Sequence, residues 1–279
     1  MSILPKMTQF SINKIVSPQN QHIKDVVKLA KHAERQARRV TTLEGLREIA
    51  RALAYGITPT EAYICPELVK NAEAGPILAQ LQTFAQNRRT ALFEVTPEVF
   101  AKIAYRDNSD GLLLVIPYLE RTLEQLPLGA APFLAVIEGV EKPGNLGAIL
   151  RTADAAGVDG VIVCTGATDL HNPNVLRASL GTLFTVPVVE ASTPATIAWL
   201  RQHKIQIIAT TPDTETLYTT VDMTGSVAIV MGSEAEGLGA AWLAAADKTV
   251  RIPMHGAVDS LNLATSTALL LYEAIRQRQ

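Results

Sequence analysis

The chain has 279 residues, of which 48% are hydrophobic and 19% charged, and a net charge of -2. That composition excludes a disordered polymer, and the length favours two domains, since one domain commonly takes roughly 100–200 residues. No stretch reaches the roughly 18 consecutive apolar residues of a membrane span, and the opening residues, MSILPKMTQFSINK, lack the apolar centre of a signal peptide, so a cytoplasmic protein is expected.

The near-neutral total hides an asymmetry. Residues 1–51 hold ten Lys and Arg against four Asp and Glu, so any contact with a polyanion is expected to begin there. Ile23, Val26, Val27, Ala30, Ala33, Ala37 and Val40 recur at helical spacing and predict one amphipathic helix over 23–40. Its other face carries Lys24, Lys28, Lys31, Arg35 and Arg38 at steps of four and three, with Arg39 beside them. Such a stripe is either a solvated helix face or a phosphate-facing surface. With Glu34 the one acid in its second half, Lys28, Lys31, Arg35, Arg38 and Arg39 are read as RNA-binding residues.

A strand-like piece over 41–45 follows, then a helix over 46–55 that stops at Gly56 and a strand over 62–65. A helix over 77–86, a strand over 91–95, a short helix opened by Thr96 and Pro97, and a strand over 111–116 complete the series. This alternation predicts a compact α/β domain over 1–120. Residues 121–132, with Pro127, Gly129 and Pro132, read as a linker.

Beyond it the strands become continuously apolar. Strands are predicted over 133–137, 160–164, 185–189, 206–210, 227–231 and 249–252, with helices over 147–156, 173–180, 194–203, 240–246 and 263–277. Apolar strands alternating with helices imply a mainly parallel sheet covered on both faces, forming a second domain over 133–279. The last helix is apolar around much of its circumference, which suggests burial in the core and in a dimer interface. Cys65 and Cys164 stand far apart without metal-ligand spacing, so neither a metal site nor a disulfide is expected.

Three loops follow predicted strands, where ligands of open α/β sheets collect. The first, from Glu138 to Gly147, fits neither the dinucleotide nor the P-loop spacing of glycines. It places Asn145 at a helix start, as a plain N-cap or a substrate contact, and Arg151 on an otherwise apolar helix where it calls for an anionic partner. In the second loop Gly232 permits close approach of backbone to a ligand, and Glu234 adds a carboxylate. In the third, Ile252, Pro253, Met254 and Gly256 form a rigid turn suited to a flat base, while Ser260 and Asn262 open the last helix with polar groups and free N–H donors.

Together, Asn145, Gly147 and Arg151, then Gly232 and Glu234, then Pro253, Gly256, Ser260, Leu261 and Asn262 resemble the three motifs of the SpoU (TrmH-like) branch of the SPOUT methyltransferases. Asn174, Arg177, Ala178, Ser179 and Gly181 are similar to the segment that links the first two in that family. The resemblance implies an RNA ribose 2'-O-methyltransferase, most naturally acting on 23S ribosomal RNA, with S-adenosylmethionine as cofactor, a trefoil knot, a homodimer and an L7Ae/L30e-like substrate-binding domain at the N-terminus. It implies cofactor binding by Gly232, Ile252, Met254 and Leu261, and a reactive cluster of Asn145, Arg151, Glu234, Ser260 and Asn262. Since a guanidinium rarely gives up its proton, Arg151 is read as binding a phosphate and the developing alkoxide, oriented by Glu234 and Asn262. A transfer-RNA methylase and a non-catalytic RNA-binding protein on the same fold are the alternatives.

Overall fold

The computed structural model describes residues 13–105, 109–165 and 168–279. Most of the opening stretch, read above as lacking a signal peptide, lies outside the described residues. Two compact units emerge: the chain up to Leu119 together with Leu170–Phe184, and Glu120–Asp169 together with Thr185–Gln279.

In the first unit the elements are β1 (Asn13–Ile15), α1 (Gln21–Lys28), α2 (His32–Arg38), β2 (Val40–Glu44), α3 (Leu46–Ala54) and β3 (Glu61–Ile64). They continue with α4 (Ala74–Gln86), β4 (Ala91–Val95), α5 (Pro97–Ile103) and β5 (Leu112–Pro117). The sheet runs β1-β4-β3-β5-β2, with β2 and β3 antiparallel to β5 and the other pairs parallel. Alternation along the strands sends Tyr63, Phe93, Leu113 and Val115 to one face, where they pack with Ile23, Val26 and Phe100 of α1 and α5.

The single helix expected over 23–40 is two. After α1 the chain turns at Leu29–Lys31, and buried Arg35 donates from Nη1 to Leu29 O (2.8 Å) and Ala30 O (2.9 Å). A guanidinium satisfies carbonyls left open at a helix end and adds favourable charge to the dipole there. The apolar residues at helical spacing do not share one buried stripe either: Val27, Ala30, Ala33 and Ala37 are exposed.

Further along the chain come β6 (Phe133–Glu138), α6 (Pro143–Ala156), β7 (Gly160–Cys164), α7 (Pro173–Ala178), α8 (Thr182–Thr185), β8 (Val188–Ala191), α9 (Thr193–Gln202), β9 (Gln206–Thr210), β10 (Val227–Met231), α10 (Ala240–Ala245), β11 (Lys248–Val250) and α11 (Leu263–Arg278). The second sheet runs β11-β9-β10-β6-β7-β8, every pair parallel. Its central strands β6, β7 and β10 are buried on both faces, which is why they read as unbroken apolar runs. Trp199, Leu200 and Trp242 from α9 and α10 close one face of the core, and α6 and α11 pack against each other.

Further segments depart from expectation: the strand expected over 185–189 is β8 at Val188–Ala191, after α8 ends at Thr185. The supposed linker over 121–132 belongs to the second unit's core, with Leu123 and Leu126 buried beside Leu134 and Ile162. Most of its other residues are exposed, and the segment enters β6 at buried Pro132. The segment Leu170–Phe184 leaves β7 and joins the first unit: Thr41 Oγ1 donates to His171 O (2.6 Å), Leu119 N donates to His171 Nε2 (2.9 Å), and Arg51 Nη1 donates to Leu180 O (2.5 Å). Asn174, Arg177 and Ala178 therefore sit on α7 within that unit, with Ser179 and Gly181 in the turn that follows.

Candidate active site

The carboxyl ends of β6, β9, β10 and β11 supply the site, all within the second unit. A cavity of about 360 Å³ is lined by Thr210, Thr211 and Pro212 after β9, by Met231, Gly232, Ser233 and Glu234 after β10, and by Ile252, Met254, Ser260, Leu261 and Asn262 after β11. Volumes of this order suit a small-molecule ligand, and the mixture of apolar walls with a few polar groups is typical of such pockets. Gly232, Ile252, Met254 and Leu261, expected to hold a cofactor, all line it, as do Glu234, Ser260 and Asn262.

Gly232 is glycine for a reason other than ligand approach. A Cβ there would stand 2.2 Å from Gly237 C and 2.5 Å from both Gly237 O and Leu238 N. The loop after β10 folds back on itself, Ser233 and Gly237 exchanging both backbone hydrogen bonds at 3.0 and 3.1 Å. Gly232 thus lets the loop close on its own main chain and so shapes the cavity wall from behind.

Beside the cavity three motif residues converge. Glu234 Oε1 accepts from Asn145 Nδ2 (2.6 Å) and from Asn262 Nδ2 (3.0 Å), while Asn262 Nδ2 also reaches Asn145 Oδ1 (3.0 Å). Glu234 Oε2 accepts from Lys142 Nζ at 2.5 Å. Asn262 in addition caps α11, its Oδ1 accepting from Ala264 N (3.0 Å) and Thr265 N (3.4 Å). The Lys142 ammonium is the foremost cause that holds the Glu234 carboxyl below its ordinary value, with help from Asn145 and the Leu263 amide; Lys142 is correspondingly raised.

Asn145 does not cap its helix: α6 starts earlier than expected, with Lys142 at the N-cap and Pro143 at the first position. Its side chain is free to join the acid across the loops. Arg151 stands apart. It is exposed, with no hydrogen bond or ion pair among the described residues, so neither Glu234 nor Asn262 orients it. Six residues separate it from Asn145, a rotation of about 240° around α6, which points the two side chains in different directions.

Of the basic stripe, Lys31, Arg38 and Arg39 are exposed, whereas Lys28 pairs with Asp25 (2.9 Å) and Arg35 is internal. Arg35 is therefore a structural residue, not an RNA contact. Arg38 Nη1 donates to Asp25 O (3.3 Å), and Arg39, at φ 52, lies over the Tyr118 ring at 4.9 Å. Lys142, Thr210, Thr211 and Asp259 escaped the sequence reading. Thr210 and Thr211 could have been found as the end of a predicted strand; nothing in the spacing marks Lys142. Among the described residues no group of three or more His, Cys, Asp or Glu is placed to hold a metal ion, and no helix is long and apolar enough to cross a membrane.

A parallel α/β unit with a ligand cavity at its strand ends and an ionised, amide-clamped acid beside it is the layout of an α/β enzyme working on an extended ligand. Comparison with known proteins narrows this. The SpoU rRNA Methylase family model matches residues 132–272, and an MRM3-like substrate binding domain matches residues 20–114. The chain belongs to the SpoU rRNA methylase family and is an RNA ribose 2'-O-methyltransferase.

It is 28% identical over 261 residues to the 23S rRNA (guanosine(2553)-2'-O)-methyltransferase RlmP of Bacillus subtilis, covering 94% of this chain and 98% of that one. A crystal structure of an RNA 2'-O ribose methyltransferase superposes with a TM-score of 0.81 at 43% identity, over 95% of this chain and 99% of the other. An AdoMet-bound rRNA methyltransferase from Sinorhizobium meliloti gives a TM-score of 0.87 at 30% identity, over 96% and 99%.

Proposed function

We propose that this enzyme uses S-adenosylmethionine to methylate a ribose 2'-hydroxyl of 23S ribosomal RNA in the cytoplasm. The observation that carries the reading is the cavity of about 360 Å³ walled by the second and third motif loops and joined to the first through the Asn145–Glu234–Asn262 clamp. The lining fits the cofactor's chemistry. Ile252, Met254 and Leu261 offer apolar surface for a flat base, and Glu234 and Asp259 offer negative charge towards a sulfonium and an ammonium.

When bound, the cofactor supplies an electrophilic methyl whose transfer to the ribose oxygen leaves the sulfur its electron pair and releases the hydroxyl proton. The protein's part is alignment and charge stabilisation. Glu234, ionised and bonded on both oxygens, is an anchor and not a proton acceptor. Ser260 lines the cavity, where its hydroxyl can meet the ribose. Arg151, exposed and without a partner among the described residues, binds an RNA phosphate and the developing alkoxide.

Residues 1–120 bind the RNA, with Lys31, Arg38 and Arg39 on the exposed basic surface and Lys28 beside them; the resemblance to L7Ae/L30e-like domains belongs to this reading. Residues 133–279 form the methyltransferase domain, whose C-terminal segment threads a trefoil knot. A second copy covers the α11 face that exposes Leu269 (38%) and Tyr272 (51%), giving a homodimer. Incubation with tritiated cofactor and RNA from a strain lacking the enzyme, followed by mapping of the 2'-O-methyl group, tests the whole. Label in transfer RNA alone would replace the substrate, and cofactor binding without transfer to any RNA would favour the non-catalytic alternative.

A further inference from the structure

Resting on that functional reading, we infer that Lys142 is a positioning residue for the reaction, acting through Glu234. The two oxygens of Glu234 are divided between partners. Oε1 serves the amides of Asn145 and Asn262, and Oε2 serves the Lys142 ammonium at 2.5 Å. The carboxylate thereby ties together three stretches far apart in sequence: the N-terminus of α6, the loop after β10, and the N-terminus of α11. The Asn262 amide is fixed by its cap on α11, and each loop ends a different strand.

What fixes the carboxylate plane is the ammonium on the far oxygen. Without it, the side-chain partners that remain are the two amides, both on Oε1, so the carboxylate can swing about that oxygen and the shared acceptor geometry loosens. Lys142 is suited to this because it is itself the N-cap residue of α6, with its carbonyl accepting from Asn145 N (3.0 Å) and Leu146 N (3.2 Å). Its backbone and its side chain therefore set Asn145 from two sides. The Lys142 side chain is 68% exposed and that of Glu234 is 29% exposed, so the pair's contribution lies in orientation and not in net stability.

The experiment uses the full-length enzyme with Lys142→Met and Lys142→Arg. Three quantities are read: the single-turnover methylation rate with RNA from a strain lacking the enzyme, the KM for that RNA, and the titration of the Glu234 carboxyl by carbon NMR, assigned with Glu234→Gln. The methionine variant is expected to lose about tenfold or more in rate with KM within about twofold, while the Glu234 midpoint rises towards its ordinary value. Lys142→Arg, which keeps the charge and the reach, is expected to restore most of the rate and the low midpoint.

A raised KM with an unchanged rate would make Lys142 an RNA phosphate contact and overturn the inference. An unmoved Glu234 midpoint in Lys142→Met would also overturn it, since no pair would then exist to orient. Should the unaltered enzyme transfer methyl to no RNA, the functional reading fails, and the titration still decides whether the lysine holds the acid.

Discussion

Asn262 combines two jobs that substitution can separate. Its Oδ1 caps α11 and its Nδ2 feeds Glu234 Oε1 at 3.0 Å. Replacing it with aspartate keeps the cap, since Asn and Asp are equally good there, but sets a second carboxylate where the amide donor was. Two unit charges about 3 Å apart repel by about 5 kcal/mol at an effective dielectric near 20. Screening at a rim this open to water brings that to roughly 1–2 kcal/mol, or about one pKa unit. The sign follows from the proton. In Asn262→Asp the carboxyl pair is raised in the fold, so the variant is most stable at low pH and loses stability as pH rises through the raised value, around pH 4–6 by typical carboxylate values plus about one unit. The unaltered protein has the opposite slope: Glu234 lies below its ordinary 4.5, so its contribution is present above that pH and is lost on acidification. Thermal melts from pH 3.5 to 8, with single-turnover methylation at pH 7.5, check this. Asn262→Ser, which keeps a cap but adds no charge, should melt in parallel with the parent while losing rate. Parallel melting of Asn262→Asp with full methylation would refute the clamp.

Gly232→Ala should cost about 1–3 kcal/mol by overpacking and weaken cofactor binding at least tenfold by calorimetry, because the added carbon meets backbone at 2.2 Å; unchanged affinity would mean the loop moves without disturbing the cavity. Arg278 donates to Met223 O (2.9 Å), Ala131 O (3.1 Å) and Gly225 O (2.5 Å) and lies over Phe133 at 4.6 Å. Arg278→Ala should therefore lower stability by about 2–4 kcal/mol, and Arg278→Lys should recover little of it, as read by urea denaturation. Arg35→Ala should destabilise by about 1.5–3 kcal/mol without changing the salt dependence of RNA binding, while Lys31→Ala should do the reverse and reduce the salt slope by about one. Glu273 is held at about 2, first by its bond to Arg276, so its stabilising contribution is lost as pH falls from about 4.5 towards 2. Glu273→Gln should flatten the acid limb of the melting curve.

The second sheet was legible because its central strands β6, β7 and β10 are buried on two faces, so composition alone marks them. The basic helix was not, and the reason is local. Leu29, Ala30 and Lys31 are all good helix formers, so propensity favours continuation, yet the chain turns there and Arg35 bonds two of the turn's carbonyls from within the core. Helical spacing treats every cation as outward-facing, and Arg35 is the exception that spacing cannot reveal. The same applies to 121–132. Proline and glycine signal a turn, but whether Leu123 and Leu126 find a core depends on Leu134 and on Ile162, a whole helix further along the chain and near in space.

For the site, motif residues named where the loops end but not who bonds whom. Asn145, Glu234 and Asn262 were each readable as polar groups at element ends, and each had an ordinary capping role available. Only Asn262 takes that role. Asn145 is released from it because Pro143 starts α6 one residue after Lys142, leaving the amide inside the first turn and aimed across at Glu234. A helix start displaced by four residues thus converts a candidate cap into part of the clamp and brings in Lys142, a residue with no motif of its own. Arg151 moves the other way. Six residues on, about 240° around the helix from Asn145, it lies exposed, so the motif cation left for RNA is the one outside the clamp.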